Sequence, residues 1–400
     1  MPDRTEFMAR LLGRSQGLFQ QDFAASKDRI AALVQPSRVL VVGAAGSIGS
    51  HFVKQLMEIG PQGICLVDPS ENNLVELVRD LRSSHIVFPK DFSTVSIALG
   101  TPMFDRFLAS VPRFDTVVNF AALKHVRSER DPFSTMRMIQ TNVLDLAHWL
   151  DQLEKAPPQR FFSVSSDKAV QPASLMGASK AMMERLMFLP SRNFTCTSAR
   201  FANVAFSDGS LTHGFLRRLE KGQPLSAPRD IQRYFISHEE AGQLCLLACF
   251  LGEHREIYIP KLNPDTDLKS FADIALLLLQ DRGLEPELCA DDHQARAFAR
   301  NRHPGDTRWP CCFSLSDTSG EKPFEEFFDP SETVDDARFH AILRVLSQPS
   351  LEGPVQEAIR GLCALRDAPN WESHTMAHWL GLAVPGLKHL AKTKNLDEKM

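Results

Sequence analysis

The sequence predicts an α/β fold: a doubly wound parallel sheet, a smaller C-terminal lobe for substrate, and helical extensions at both ends. Three observations predict it. Short β-branched runs alternate with helical stretches from residue 38 onward, the pattern of a parallel sheet covered on both faces. A glycine-rich turn joins the first strand to the first helix of that alternation. After about residue 205 the alternation loosens into turn-rich pieces such as "SDGSLTHG" and "SAPRDIQRYF", as in a lobe set over a cleft.

The elements follow in order. Residues 1–36 read as one or two helices that end at Pro36, with Phe7, Leu11, Leu12, Leu18, Phe19 and Phe23 as an apolar stripe at helical spacing. "RVLVVG" is the first strand, and the helix after it can end at Gly60. "GICLVD" (63–68) is the second strand, "STVSIALG" (93–100) the third and "DTVVNFAAL" (115–123) the fourth. A long helix then runs to about residue 154, and "RFFSVSS" is the fifth strand. The divisions are a 1–36 extension, a 37–205 nucleotide domain, a 206–330 lobe returning some strands to the main sheet, and a mainly helical 331–400.

Composition narrows the function. The 400 residues are 43% hydrophobic and 24% charged, which suits a soluble protein with a sizeable core. A net charge of -4 gives no pull toward nucleic acid or an anionic membrane. No apolar run approaches the ~18 residues of a membrane span; "ALLLL" at 275–279 is the densest. The N-terminal stretch is charged and interrupted, which reads against a signal peptide. The eight cysteines have no CxxC or zinc spacing. Cys245 and Cys249 in an apolar helical run, and adjacent Cys311 and Cys312, read as small hydrophobes in a reducing, cytoplasmic setting. No metal site is expected.

Gly43, Gly46 and Gly49 form a GxxGxxG between a strand and a helix. The first glycine permits the sharp turn, the second a close approach to a pyrophosphate, and the third close helix–strand packing. Ser47 and Ile48 open the helix, whose free N–H groups attract phosphate. This context makes the domain a Rossmann dinucleotide site. Asp68 ends the second strand and suits a ribose 2′-hydroxyl, so NAD is expected rather than NADP. A cap or turn aspartate before Pro69 is its other reading.

Several stretches together carry a resemblance: "GAAGSIGS", "NFAALKHVRSERDPFSTMRMIQTNV", "SVSSDKAVQPASLMGASK", "ARFANVAFSDGS", "RYFISHEEAGQL" and "GEKPFEEFF". Over roughly residues 36–330 the chain resembles extended short-chain dehydrogenase/reductases. Within them it is similar to the UDP-N-acetylglucosamine 4,6-dehydratases of bacterial polysaccharide biosynthesis. The resemblance implies C4 oxidation by NAD, loss of water across C5 and C6, and hydride return to C6.

It also implies roles. Asp167 is the acid for the 6-hydroxyl, Lys168 the base at C5, and Ser166 a partner of the C4 hydroxyl. Lys180 holds the nicotinamide ribose. Ala121, Ala122, Lys124 and Asn142 lie by the cofactor. Asn203, Ser207, Gly209, Ser210, Arg233, Glu321 and Lys322 serve the UDP-sugar. His125 reads as packed or partly exposed rather than catalytic.

Three departures stand out. Thr101 replaces a common acidic residue near the adenine, and "TSGEK" lacks an arginine the family often has. Met176 occupies the place of the usual catalytic tyrosine, four residues before Lys180. The chain's two tyrosines, Tyr234 and Tyr258, lie elsewhere. Met176 points to the subgroup that retains C5 configuration, and leaves Asp167 or a water held by Ser166 and Lys180 to take the O4 proton. A UDP-hexose 4-epimerase and a non-catalytic dinucleotide-binding scaffold are the alternatives. A homo-oligomer is expected from the extra helices and the family.

Overall fold

The computed structural model describes residues 4–125, 129, 131–303, 305–316 and 322–389. Helices α1 (Arg4–Leu12) and α2 (Gln20–Val34) form the N-terminal extension. The nucleotide domain then alternates: β1 (Arg38–Val42), α3 (Ser47–Ile59), β2 (Gly63–Val67), α4 (Glu71–Arg82), β3 (Asp91–Val95), α5 (Pro102–Ser110) and β4 (Thr116–Asn119). It continues with α6 (Pro132–Ile139), a π turn at Gln140–Leu144, α7 (Asp145–Leu153), β5 (Arg160–Ser166), α8 (Leu175–Met187) and β6 (Thr195–Phe201).

The lobe holds β7 (Asn203–Val204), α9 (Leu211–Glu220), β8 (Leu225–Pro228) and β9 (Gln232–Ile236). Next come α10 (His238–Leu251), β10 (Glu256–Pro260), α11 (Pro264–Asp267), β11 (Leu268–Ser270), α12 (Phe271–Asp281), β12 (Glu285–Leu288), α13 (Asp292–Arg300) and β13 (Arg308–Ser314). The chain closes with β14 (Thr333–Asp335), β15 (Ile342–Leu346), α14 (Glu352–Arg366) and α15 (Ser373–Ala383).

The nine-stranded sheet runs β14-β15-β10-β6-β5-β4-β1-β2-β3. The seven strands from β10 to β3 are parallel, and β15 and β14 add to the β10 edge in antiparallel fashion. Strand order reverses between β1 and β4, so a crevice opens beyond the C-terminal ends of β1, β4 and β5. Helices α2, α3 and α10 pack on one face, and α8, α14 and α15 on the other. Two small sheets, β11-β9-β7 and β12-β13-β8, build the lobe. Its core, around Phe215, Leu225, Ile274 and Leu278, takes in Phe7, Leu11 and Leu12 of α1.

The sequence and structure differ in four places. β3 starts at Asp91 and stops at Val95, where the Ile97 N–H turns back onto the Val95 carbonyl. β4 stops at Asn119, whose side-chain oxygen accepts from the Ala121 N–H and turns the chain toward the cleft. The long helix is α6 and α7 joined by the π turn. The segment read as mainly helical from residue 331 opens with a hairpin that completes the main sheet. Val345 is fully buried between Ile257 and Val334, and Asp22 of α2 accepts from the N–H groups of His340 and Ala341. Among the described residues no helix is long and apolar enough to cross a membrane.

The hairpin is therefore part of the core. Val345→Asp puts an unpaired carboxylate there, a cost of several kcal/mol. We expect a much lower melting temperature by circular dichroism, or insoluble protein. A variant as heat-stable as the wild type would exclude the hairpin from the cooperative unit.

Candidate active site

A cleft of about 850 Å³ lies between the nucleotide domain and the lobe. Its cofactor half begins at the glycine turn. Gly43 has φ of +77°, and a Cβ there would sit 2.6 Å from the Ala121 nitrogen. At Gly49 it would meet the Gly43 carbonyl at 2.3 Å. These two positions let strand and helix close on one another. At Gly46 the nearest atom is 3.5 Å away, which leaves room for a phosphate above the N-terminus of α3. Gly46, Ser47, Ile48 and Ala122 line this half.

Asp68 is buried beside the loop, where Oδ2 accepts from Ala45 N–H (3.0 Å) and Oδ1 from Ser70 N–H (2.9 Å). It does not line the cleft itself. Each oxygen keeps a lone pair for a ribose hydroxyl. The loop and Asp68 thus fit a dinucleotide.

Asn142 does not face the cleft. It clasps Leu123 through both its N–H and C=O (2.9 Å each) and donates to Ser179. It holds the Ala121–Lys124 segment from behind. Lys124 opens onto the cleft; the surrounding walls lower its pKa and Asp208 pulls it back up.

The second half is built on the end of β5. Adjacent residues of a strand point to opposite faces, but the strand stops at Ser166 and residues Asp167–Ala169 form one 3₁₀ turn. Ser166 caps it, its hydroxyl oxygen accepting from the Lys168 N–H at 3.2 Å. The turn swings Asp167 and Lys168 to one side. Ser166 Oγ donates to Asp167 Oδ1 at 2.8 Å, and Lys168 Nζ donates to the same oxygen at 3.2 Å. Asp167 is only 3% exposed.

Met176 and Lys180 rise beside this turn on α8, both lining the cleft and both buried. The Met176 N–H is capped by Glu129 at 2.9 Å. Lys180 Nζ donates to the Val164 carbonyl at 2.9 Å. Burial pushes its pKa down to about 8, against the pull of Glu184. Neither tyrosine reaches the cleft: Tyr258 is fully buried in β10 and Tyr234 packs on Phe327.

In the lobe half, Asn203, Ser207, Gly209, Ser210 and Arg233 all line the cleft. The 207–210 turn reaches across to the cofactor loop, where Asp208 N–H donates to Ser47 Oγ at 3.0 Å. Arg233 is buried, with Nη1 on the carbonyls of Gln232, Lys322 and Pro323. Lys322 does not line the cleft; it grips the Val170 carbonyl at 2.9 Å. Glu321 lies outside the described residues.

Among the lining residues that escaped the sequence reading are Arg217, Arg218 and Glu325. Arg217 and Arg218 line the cleft from the last turn of α9, where the helix dipole alone would also favour basic residues. The available signal was their position two turns after the "DGS" turn. Glu325 lies in "GEKPFEEFF" but was not singled out.

Beneath the site, Arg200 of β6 is buried. It donates to both oxygens of Glu184 (2.9 and 2.8 Å), to both of Glu332 (2.8 Å each) and to the Phe327 carbonyl. Glu184 also accepts from Ser165 at 2.6 Å.

The profile of a family described as polysaccharide biosynthesis protein matches residues 39–298. An uncharacterized membrane protein of Methanocaldococcus jannaschii is 32% identical over 64% of this chain and 76% of its own length. The probable polysaccharide biosynthesis protein EpsC of Bacillus subtilis is 27% identical over 58% of this chain, which spans only 38% of that relative. Among solved structures, Pen from Bacillus thuringiensis superimposes with a TM-score of 0.64 at 20% identity, covering 78% of this chain and 88% of Pen; that likeness is one of fold.

Lys180 gives a test with a defined sign. Its folded pKa lies below the ordinary 10.5, so the folded state carries a burial penalty wherever the ammonium is charged. The penalty is full below about pH 8 and fades as pH rises toward 10.5. Lys180→Met should melt higher at pH 7, by up to about 3 kcal/mol of stability, with the gap closing toward pH 10 and turnover lost. A gap independent of pH would contradict the assignment.

Proposed function

The chain belongs to the polysaccharide biosynthesis protein family, and from that premise we propose that it is a nucleotide-sugar 4,6-dehydratase. Its substrate is UDP-N-acetylglucosamine or a close UDP-N-acyl hexosamine, and its cofactor NAD. The observation that carries this reading is the single Asp167 oxygen shared by the Ser166 hydroxyl and the Lys168 amine. A bound NAD supplies the acceptor for the C4 hydride and returns that hydride to C6.

The chain's own residues move the protons. As C4 is oxidised, the O4 proton passes through Ser166 Oγ to Asp167. The 4-ketone acidifies C5, and Lys168 in its neutral form removes H5. The C5–H electron pair forms the C5=C6 bond, the C6–O6 bond breaks, and Asp167 gives its proton to O6 so that water leaves. When hydride reaches C6, Lys168 returns its proton to C5. The sum is substrate minus one water, and both side chains end as they began.

This cycle needs no phenol, which accounts for Met176. One base that removes and returns the C5 proton from one side favours retention at C5. Lys180 serves the nicotinamide ribose from α8, and Lys124 and Ser47 the rest of the cofactor. Arg217, Arg218 and Arg233 give the nucleotide half its positive charge, suited to a diphosphate.

A 4-epimerase oxidises C4 but does no chemistry at C6, so the acid and base on the 3₁₀ turn would have no work. A scaffold would need neither. Incubation with UDP-N-acetylglucosamine and NAD should give a product lighter by one water, with a 4-ketone by NMR. Lys168→Ala should stop this and leave cofactor binding unchanged, whereas Met176→Leu should keep most of the turnover. An unchanged mass with a new 4-epimer would support the epimerase, and undiminished dehydration by Lys168→Ala would refute the assigned base.

A further inference from the structure

Glu325 is a carboxylate that neither the fold nor the proton cycle above explains. It is 3% exposed and lines the cleft. Its Oε2 accepts no hydrogen bond from the described residues. Around it stand three basic side chains: Lys322 Nζ at 3.6 Å from Oε2, and Lys168 Nζ and Arg233 Nη2 each at 3.8 Å from Oε1. A buried carboxylate oxygen without a donor is costly, and charge at a distance offsets that cost here. Apolar packing would serve stability as well.

Its neighbours have different jobs. Lys168 belongs to the sugar half, Arg233 to the nucleotide half, and Lys322 fixes the loop after the 3₁₀ turn through Val170. The Lys168 amine has two carboxylates within reach, Asp167 at 3.2 Å and Glu325 at 3.8 Å. Asp167 alone leaves the long lysine chain free to swing about that contact. A second anion fixes its direction, and a base must be aimed at its proton to within about 1 Å to keep its rate.

We propose that Glu325 is a positioning residue for the elimination step: together with Asp167 it holds the Lys168 amine against C5. It also ties that amine to Arg233, so that the lysine is aligned within the same ion cluster that faces the nucleotide. The inference rests on the reading of Lys168 as the C5 base. Glu325 serves H5 removal and not C4 oxidation, since its contacts reach Lys168 and not Ser166 or Lys180.

The test uses the full-length protein loaded with NAD. Glu325→Gln keeps the shape and removes the charge; Glu325→Asp keeps the charge on a shorter arm. For Glu325→Gln we expect kcat with UDP-N-acetylglucosamine to fall on the order of a hundredfold. KM and the affinity for UDP by calorimetry should change by less than about twofold. C4 oxidation persists, read as a rise in the near-ultraviolet absorbance of the cofactor, while uptake of solvent deuterium at C5 falls with kcat. Glu325→Asp should recover part of kcat.

An unchanged kcat would overturn the proposal. So would a raised KM at constant kcat, which assigns Glu325 to nucleotide binding. Equal slowing of oxidation and deuterium uptake with a lowered melting temperature assigns it to folding alone. Absence of dehydration by the wild-type protein overturns the functional reading, and this inference with it, before any variant is made.

Discussion

The buried guanidinium of Arg200 is the constraint on which the rest of the active half depends. It is held by two carboxylates and a carbonyl drawn from two distant parts of the chain. Glu184 brings α8 and, through Ser165, the end of β5. Glu332 and Phe327 bring the late segment that carries Lys322 and Glu325. Loss of Arg200 would leave Glu184 buried without its counter-ion, a cost of about 3–5 kcal/mol. The network fixes the angle at which β5 delivers its last residue, and so the origin of the 3₁₀ turn.

From that origin the site is a matter of charge placement. Asp167 is too buried to be solvated, and its oxygen takes a hydroxyl and an amine instead. The cleft then grades from acid and base on the β5 turn to guanidinium groups on α9 and β9. The cofactor half is made by backbone: the glycine turn, the first N–H groups of α3, and the loop that Asn142 braces.

Much of this was legible in the sequence. The alternation from residue 38, the glycine turn and the 160–166 strand are local patterns, and local patterns survive into structure. Residues 165–168 were readable because Ser, Asp and Lys follow one another at a strand end, although their convergence needed a turn whose type the sequence did not announce. Non-local pairing was hidden. The β14–β15 hairpin lay in a segment read as mainly helical, because its strands are short and β15 pairs with the distant β10. Arg217, Arg218 and Glu325 were hidden for the same reason: their neighbours in space are distant in sequence. Asn142 was recognised, but its clasp on Leu123 depends on a π turn that no composition rule marks.

The bridge from Asp208 to Ser47 joins the 207–210 turn of the lobe to the glycine-rich loop. In the proposed reaction the hydride taken at C4 goes back to the same sugar at C6. Oxidant and reductant are then one molecule, closed in by the ligand it serves. Such an enzyme draws nothing from the cell's balance of oxidised and reduced nicotinamide. Its output follows the supply of nucleotide-sugar alone, and stays steady while the respiratory state around it changes.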